Sequence, residues 1–469
     1  MPHMLEPLQD RLPAVERRAV LPAGFVAGAV VAGIKASGRP DLAIIATAPD
    51  PAGRRPAVPV AAVFTTNAMA AAPVRLSRAN LAAGDPSGHG LRGRAAAIVS
   101  TSGSANAATG PGGDADQRTL AERLAVALDV PPEATLALAT GVIGTRLPME
   151  RVGEAIDRLV SGGLPDDAEG LRADGEGLLA AATALMTTDT RPKVATASVA
   201  LPDPDGFAAR VVTVGGIAKG VGMIHPRMAT MLAVILTDAA VPAATLQAIL
   251  RRAATRTWNQ LSVDGDTSTN DTVFLLASGA AGTAPVEPGS AAEADLGAAV
   301  EAVARDLARQ QAADGEGATT LLTCAVTGAV DDVEARAVAR SVVSSSLVKA
   351  AVHGRDPNWG RIAGAAGNAR LPDGQLLETA GLPATEAATR SGARARVDPD
   401  RLRIAIAGQL VFDGSAGGPV AFERAAARAA MDAPELLVRL DLGLGAGSGE
   451  AFGCDLTEAY VIENSEYTT

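Results

Sequence analysis

The chain has 469 residues, of which 48% are hydrophobic and 20% charged, and its formal net charge is −11. This composition is ample for a buried core, and the lack of a basic run of five or more argues against nucleic acid or an anionic membrane surface as partner. Two cysteines, Cys324 and Cys454, give neither a disulfide framework nor a zinc spacing. No apolar run reaches the ~18 residues of a membrane span. We therefore expect a cytoplasmic protein.

Apolar, β-rich runs recur along the chain and mostly end at glycine. They predict strands over 95–99, 135–139, 210–214, 231–236 and 272–276. Between them, apolar residues at helical spacing predict two amphipathic helices, with Leu246, Ile249, Leu250 and Ala253 on one stripe and Leu296, Val300, Val303 and Leu307 on the other. Strands that alternate with helices predict an α/β class, with parallel or mixed pairing left open.

Three segments fall outside this pattern of strands and helices. Residues 1–20 have no hydrophobic core for export, so we expect a loose N-terminal extension. The stretches 161–178 and 279–295 are acidic and rich in glycine, and they predict surface insertions.

A Gly-rich segment stiffened by proline, 219–229, leads directly into the apolar run at 231–236 and places Thr230 at the junction. A hydroxyl beside the Ala229 carbonyl in a constrained turn is the arrangement that self-cleavage by an N-to-O acyl shift requires. Cleavage would free the α-amine of Thr230, with a pKa of about 7.7–8.0, to act as general base for its own hydroxyl. The junction therefore predicts both a maturation step and a nucleophile, although a threonine at the head of a strand also occurs for β-propensity alone.

Other chemistries fit the sequence poorly. The residues after Lys219 are Gly220 and Val221, where a phosphate loop needs Ser or Thr. Segment 264–271 lacks the glycine and the glutamate of a calcium loop, and we interpret it as turns that brace the site. No G-x-S-x-G elbow is present for a histidine-dependent triad. We expect neither a metal nor an organic cofactor.

The junction is one of ten blocks, in order along the chain, that resemble the ornithine acetyltransferase (glutamate N-acetyltransferase) family. Its segment 219–232 is similar to the family's cleavage motif. The other blocks include Gly33-Ile34-Lys35, Val63-Phe64-Thr65-Thr66-Asn67, Ser102-Gly103-Ser104-Ala105-Asn106-Ala107, Thr140-Gly141-Val142-Ile143-Gly144, Met186-Thr187-Thr188-Asp189-Thr190, Val263-Asp264-Gly265-Asp266, Asp314-Gly315-Glu316-Gly317, Asp356-Pro357-Asn358-Trp359 and Asn464-Ser465-Glu466-Tyr467-Thr468-Thr469. Ser104, Arg227 and Thr320 depart from the family, which more often has Asn, Asn and Lys there.

The resemblance implies a fold and a division of the chain. The fold is a layered α/β sandwich shared with some aminopeptidases. The precursor is expected to fold before cleavage into an α fragment, 21–229, and a β fragment, 230–469, which begins at Thr230. The fragments are expected to assemble as α2β2.

The resemblance also implies a reaction and its site residues. Thr230 would carry the acetyl group from N-acetylornithine to glutamate in ping-pong order, within arginine biosynthesis. Thr140 and Gly141 would form the oxyanion hole, Lys219 would pair with the α-carboxylate, and Glu316 with a substrate ammonium group. Further substrate contacts are expected from one of Thr187 and Thr188, from Asn464 and from Thr469.

Four alternatives remain open. Acetyl-CoA could serve as a second donor. The chain could be a specialised acyltransferase of secondary metabolism, which the departures at Ser104 and Arg227 would suit. It could be a hydrolase related to the β-peptidyl aminopeptidases, or an uncut, inert scaffold.

Overall fold

The computed structural model describes residues 12–85, 87–162, 170–206, 208–225 and 231–465. The strands are β1 (Phe25–Val30), β2 (Leu42–Thr47), β3 (Val58–Phe64), β4 (Arg92–Ala95), β5 (Ala97–Ser104), β6 (Thr135–Val142), β7 (Lys193–Leu201), β8 (Arg210–Lys219), β9 (Leu232–Thr237), β10 (Leu261–Ser262), β11 (Thr272–Ala277), β12 (Leu321–Ala329), β13 (Arg403–Ile406), β14 (Gln409–Asp413), β15 (Gly418–Pro419), β16 (Glu435–Asp441) and β17 (Gly447–Cys454). The helices are α1 (Ala72–Ala83), α2 (Gly110–Leu128), α3 (Met149–Ser161), α4 (Gly175–Leu185), α5 (Ala243–Arg256), α6 (Ala291–Ala313), α7 (Asp332–Ser344), α8 (Ser346–His353), α9 (Trp359–Gly367), α10 (Gly374–Thr379), α11 (Ala384–Arg390), α12 (Arg424–Ala430) and α13 (Glu458–Ser465).

Within these residues the strands form three sheets. A four-stranded sheet has the order β1-β2-β5-β6, a six-stranded sheet the order β4-β3-β11-β9-β8-β7, and a seven-stranded sheet the order β10-β17-β12-β16-β13-β14-β15. All three combine parallel and antiparallel pairs. The pairing that the sequence left open is therefore mixed, and the predicted α/β class is confirmed.

The sheets and helices are stacked in layers. The four- and six-stranded sheets enclose an apolar layer to which α1 and α4 also contribute. Helices α2 and α3 cover the outer face of the four-stranded sheet, and α5 and α6 cover the six-stranded sheet. Helix α6 also contacts β12 and β17 of the seven-stranded sheet, whose core is closed by α7, α8 and α9. The expected layered sandwich is therefore present.

Strand β9 lies at the centre of the six-stranded sheet. Leu232, Val234 and Leu236 pack into the layer toward the four-stranded sheet. Ala233 and Ile235 face α5 and α6, which is the alternation that a strand buried on both sides requires. Strands β3, β4, β7 and β8 precede residue 230 and β9 and β11 follow it, so both predicted fragments contribute to one hydrogen-bonded sheet. The division at 229/230 stays a prediction about covalent maturation.

The expectation of a loose N-terminal extension is wrong for residues 12–20. Glu16 pairs with Thr196 through backbone hydrogen bonds of 2.8 and 2.9 Å. The Thr196 hydroxyl donates to the Arg18 carbonyl at 2.7 Å, and Arg17 forms an ion pair with Asp306 at 2.9 Å. The segment adds backbone pairing to the edge strand β7, an interaction that composition does not reveal.

The expected surface insertions are also partly wrong. Residues 175–178 open α4, where the Asp174 carboxylate accepts from the backbone of Glu176 and Gly177, and Leu178 is buried. Residues 291–295 open α6, which is capped by Ser290. The glycines and acidic residues that suggested loops are helix starts, which favour the same residue types. The described range does not include 163–169.

The predicted strand at 95–99 is two strands. Ala95 ends β4, in the six-stranded sheet, and Ala97 begins β5, in the four-stranded sheet. The chain passes from one sheet to the other at Ala96, whose N–H donates to the Ala134 carbonyl at 2.7 Å. The apolar run is continuous because both strands face buried layers. The other four predicted strands and both predicted helices coincide with β6, β8, β9, β11, α5 and α6.

Candidate active site

A cavity of about 300 Å³ opens where β6 and β8 end and β9 begins. Seven residues that the sequence predicted for the site line it: Thr140, Gly141, Thr187, Thr188, Lys219, Glu316 and Asn464. They come from segments up to 324 residues apart in the sequence, between positions 140 and 464. The fold therefore brings together candidates that the sequence could only name one at a time.

Three predicted residues, Ala229, Thr230 and Thr469, lie outside the described residues, as does Arg227. Met231, the next residue after Thr230, is buried and lines the cavity together with Leu232. The predicted nucleophile thus directly precedes a lining residue in the chain. Its role stays a prediction.

Thr140 and Gly141 lie at the carboxyl end of β6, beside a register shift in β5. Gly141 has φ +130°, and a Cβ there would lie 2.3 Å from the Gly103 carbonyl carbon. Only glycine allows this close approach of the two backbones. The conformation leaves the Thr140 hydroxyl and the Gly141 backbone at the wall of the cavity, the position that an oxyanion hole needs.

Lys219 ends β8 and is buried, with 8% of its surface exposed. Its Nζ donates to the Thr140 hydroxyl at 3.1 Å and to the Thr187 hydroxyl at 2.9 Å. Burial lowers the pKa of Lys219, while the nearby carboxylates of Asp189 and Glu316 act to raise it. Because an ammonium group can only donate, both hydroxyls accept from it and keep their own hydrogens for another acceptor. Lys219 therefore leaves the hydroxyl hydrogen of Thr140, a residue of the cavity wall, for another acceptor.

Glu316 is the negative charge of the cavity. Its carboxylate accepts from the Thr188 hydroxyl at 2.7 Å and from the Asn464 amide at 2.9 Å. A Cβ at Gly222 would lie 2.2 Å from this carboxylate, so any larger residue there would displace the carboxylate from its place. The two threonines that the sequence could not distinguish have different partners, because Thr187 contacts Lys219 and Thr188 contacts Glu316.

Asn270 and Asp271 also line the cavity, and the sequence predicted only that their segment braces the site. The Asn270 amide donates to the carbonyls of Ala105 at 2.6 Å and Ala139 at 2.9 Å, which ties β5 and β6 together. Burial raises the pKa of Asp271 well above its ordinary value, against hydrogen bonds from Ser268 and the charge of Lys219. Because the segment 264–271 is rich in turn-forming residues, its sequence did not indicate that the carboxyl group of Asp271 is buried.

An ion triad that the sequence analysis missed supports the cavity wall. Lys193 Nζ lies 2.6 Å from both Asp189 Oδ1 and Asp314 Oδ2, and the side chain of Lys193 is fully buried. Burial acts to raise the pKa of Asp189, but Lys219 and Lys193 hold it below its ordinary value. Asp189 also accepts from the Gly220 N–H at 2.9 Å. The triad thereby fixes the backbone next to Lys219.

We expect Lys193→Met to destabilise the protein by about 3–5 kcal/mol, because it removes the ion-pair partner that two buried carboxylates share. The measurement is the midpoint of urea unfolding, made on the Thr230→Ala protein so that every variant is a single uncleaved chain. The matched control is Arg54→Met, which breaks another i,i+4 ion pair, with Asp50, whose arginine side chain is 79% exposed. That variant should lose at most about 1 kcal/mol. Equal losses in the two variants would contradict the structural role of the triad.

Ser104, two histidines and Trp359 lie around the cavity or away from it. Ser104 pairs with Thr140 in the sheet, and its hydroxyl donates to the Thr145 carbonyl at 2.8 Å. His353 lies 3.3 Å from Asp455 and His225 Nδ1 lies 3.0 Å from Ser262 Oγ. Trp359 stacks on Phe412 at a centroid distance of 5.0 Å and packs against the core of the seven-stranded sheet.

A hydroxyl held as a donor by a buried ammonium group, beside a glycine backbone, suits the oxyanion of an acyl-transfer reaction. A buried carboxylate across the same cavity suits a cationic group on the substrate. The fold and the cavity place the chain among acyl-transferring enzymes. None of the helices in the described ranges combines the length and apolar character that a membrane crossing needs.

Comparisons with known proteins define the family. The ArgJ family model matches residues 26–469. The arginine biosynthesis bifunctional protein ArgJ of Thermus thermophilus is 45% identical over 451 residues, covering 96% of this chain and 99% of the relative. Its counterpart in Synechocystis is 42% identical over 466 residues, covering 97% of this chain and 98% of the relative. The chain therefore belongs to the ArgJ family, and it is an acyltransferase of arginine biosynthesis.

Solved structures of an ArgJ protein and of an ornithine acetyltransferase are similar to part of this chain. ArgJ from Bacillus halodurans is 37% identical with a TM-score of 0.44, covering 50% of this chain and 99% of that chain. Ornithine acetyltransferase from Mycobacterium tuberculosis, solved in complex with ornithine, is 35% identical with a TM-score of 0.37. The match covers 46% of this chain and 99% of that chain.

Proposed function

We propose that the protein cleaves itself between Ala229 and Thr230 and then transfers the acetyl group of N-acetylornithine to glutamate through an acetyl ester on Thr230. The single observation that carries this proposal is the cavity beside Met231, which places Lys219, its two bound hydroxyls and Glu316 around the start of β9. Membership of the ArgJ family supports the choice of substrates, and one solved relative is a complex with ornithine.

In the first half-reaction, the Thr230 hydroxyl attacks the acetyl carbonyl and its proton passes to the Thr230 α-amine. The oxyanion that forms accepts hydrogen bonds from the Thr140 hydroxyl and the Gly141 N–H. Collapse breaks the carbon–nitrogen bond, and the proton moves from the Thr230 amine to the departing α-nitrogen of ornithine. Glutamate then attacks the ester with its α-amine, and the same steps run in reverse to release the Thr230 hydroxyl and N-acetylglutamate.

The charges of the cavity suit the first substrate. N-acetylornithine has an α-carboxylate and, because its α-nitrogen is acylated, a single ammonium group at the end of its side chain. Lys219 has one N–H left after its bonds to Thr140 and Thr187, and we assign it to the carboxylate. Glu316 is the partner of the ammonium group. Asn464 and Thr188 keep that carboxylate in place, and Thr469 is a further predicted contact.

This proposal predicts a ping-pong pattern. Double-reciprocal plots of initial rate with N-acetylornithine and glutamate should run parallel. Incubation with radiolabelled N-acetylornithine alone should transfer the acetyl label to the fragment that begins at Thr230. Intersecting lines together with an unlabelled protein would reject the acetyl-enzyme. Steady release of acetate without glutamate would instead indicate the hydrolase alternative.

A second donor is also proposed. The relatives are named bifunctional proteins, which supports acetyl-CoA as a donor for glutamate in addition to N-acetylornithine. Assays in which acetyl-CoA replaces N-acetylornithine distinguish an enzyme with both donors from one that uses N-acetylornithine alone. With both donors, N-acetylglutamate should form from acetyl-CoA without any release of ornithine. The assembly is proposed to be α2β2.

A further inference from the structure

A second cavity, of about 840 Å³, lies between α7, α9 and α10 on one side and the end of α5 with the residues that follow it on the other. It shares no lining residue with the catalytic cavity among the described residues. Its volume is in the range of pockets that hold metabolites and nucleotides. Nothing in the proposed acetyl transfer uses it.

The charge of this second cavity is one-sided. Four arginines line it, Arg336, Arg340, Arg361 and Arg370, and the described lining residues include no aspartate or glutamate. This concentration occurs in a chain whose net charge is −11. A wall with four guanidinium groups and no carboxylate attracts anions and repels cations such as ornithine and arginine.

Among the described residues, three of these four arginines keep donors for a ligand. Arg336 has a side chain that is 12% exposed, and its ion-pair partner among the described residues, Asp332, is 3.9 Å away. Arg361 donates to the Leu347 carbonyl at 2.8 Å, and Arg370 to a carbonyl at 3.2 Å. Because a guanidinium group has five N–H donors, these bonds leave most of them unused.

Uncharged polar residues line the same cavity together with the arginines. Thr255, Gln260 and Ser344 are among them. Thr255 and Gln260 are buried, with 9% and 7% of their surfaces exposed. Their side chains add hydroxyl and amide groups to the wall that the arginines form.

One wall is apolar. Leu371, Leu376 and Leu377 line it, in the loop before α10 and in α10 itself. The ligand therefore combines a multiply charged anionic end with a part that packs against leucine. We propose that this cavity, which we call the arginine cavity, binds an organic phosphate of nucleotide size, with its phosphates on the arginines and its other part against the three leucines.

The position of the arginine cavity connects it to the catalytic cavity through two chain segments. Gln260 precedes β10 and the segment 263–271, whose residues 268–271 line the catalytic cavity. His225 lines the arginine cavity, and Met223, two residues earlier, lines the catalytic one. An occupant therefore contacts two segments that continue into the active site.

The test is isothermal titration of the full-length protein with ADP, inorganic pyrophosphate and citrate. We expect ADP to bind more tightly than pyrophosphate, because pyrophosphate cannot use the leucine wall. Binding should weaken as salt rises and should be unaffected by saturating N-acetylornithine. Binding of citrate alone, binding of none of the three, or loss of binding when N-acetylornithine is added would overturn the proposal.

Variants assign the binding to the arginine cavity. Arg361→Gln and Arg370→Gln should each weaken ADP binding about 10- to 100-fold, as expected for lost charged hydrogen bonds. Both residues donate from exposed positions, so these variants should fold. Arg54→Gln removes an exposed arginine elsewhere and should leave affinity unchanged. Equal affinity in all three variants and the wild type would place the ligand outside this cavity.

Discussion

Replacement of Thr230 by alanine should leave the protein as a single chain of 469 residues and abolish acetyl transfer. Without a hydroxyl at position 230, the N-to-O acyl shift at the Ala229 carbonyl has no nucleophile, and the acetyl group has no acceptor on the enzyme. Removal of a nucleophile typically costs about 10⁴–10⁶-fold in kcat. Intact mass under denaturing conditions measures the first effect, and initial rates with N-acetylornithine and glutamate measure the second.

Thr230→Ser is the matched control. It keeps a hydroxyl at the same position and should still yield the two fragments, 1–229 and 230–469, with measurable transfer. Because β9 and β11, which follow the cleavage point, lie between β3 and β8, which precede it, the wild-type fragments should elute together at native size. A wild-type preparation that is fully active but remains one chain would disprove the N-terminal threonine mechanism.

The sequence predicted the strands near the site better than the interactions that hold it. The run at 231–236 was recognised as a strand because all of its residues are apolar, and β9 is indeed buried on both faces. Thr140, Lys219 and Glu316 were named from motif resemblance, and their proximity came only from the structure, because sheet order is not encoded in local periodicity.

Other features had no local signal. Lys193 and Asp314 are 121 positions apart, and nothing about either residue alone indicates a buried ion pair. Segment 12–20 is short, and it is fixed by backbone pairing of Glu16 with Thr196 that hydropathy cannot detect. The arginines of the second cavity are spread over α7, α9 and the following loop, so no charge cluster appears in the sequence.

A double-mutant cycle between Thr140 and Lys219 tests how the oxyanion hole works. Thr140→Val should lower kcat about 10²–10³-fold, the usual cost of one oxyanion donor. Lys219→Met should also lower kcat, because the Thr140 hydroxyl loses the ammonium group that directs its hydrogen into the cavity. It should raise KM as well, since the same ammonium group is assigned to the substrate carboxylate. Each rate is referred to the cleaved fraction, measured by intact mass.

The double variant separates a positioning role from simple binding. If Lys219 acts through Thr140, the loss in kcat for the pair should be clearly smaller than the product of the single losses, because both changes remove the same hydrogen bond to the oxyanion. If Lys219 only binds the carboxylate, Lys219→Met should change KM alone and its effect should multiply with that of Thr140→Val. Thr187→Val removes the other hydroxyl on Lys219 and is the control, since it should leave most of kcat intact. A multiplicative result would assign Lys219 to substrate binding and leave Thr140 to be oriented by the bound acetyl group itself.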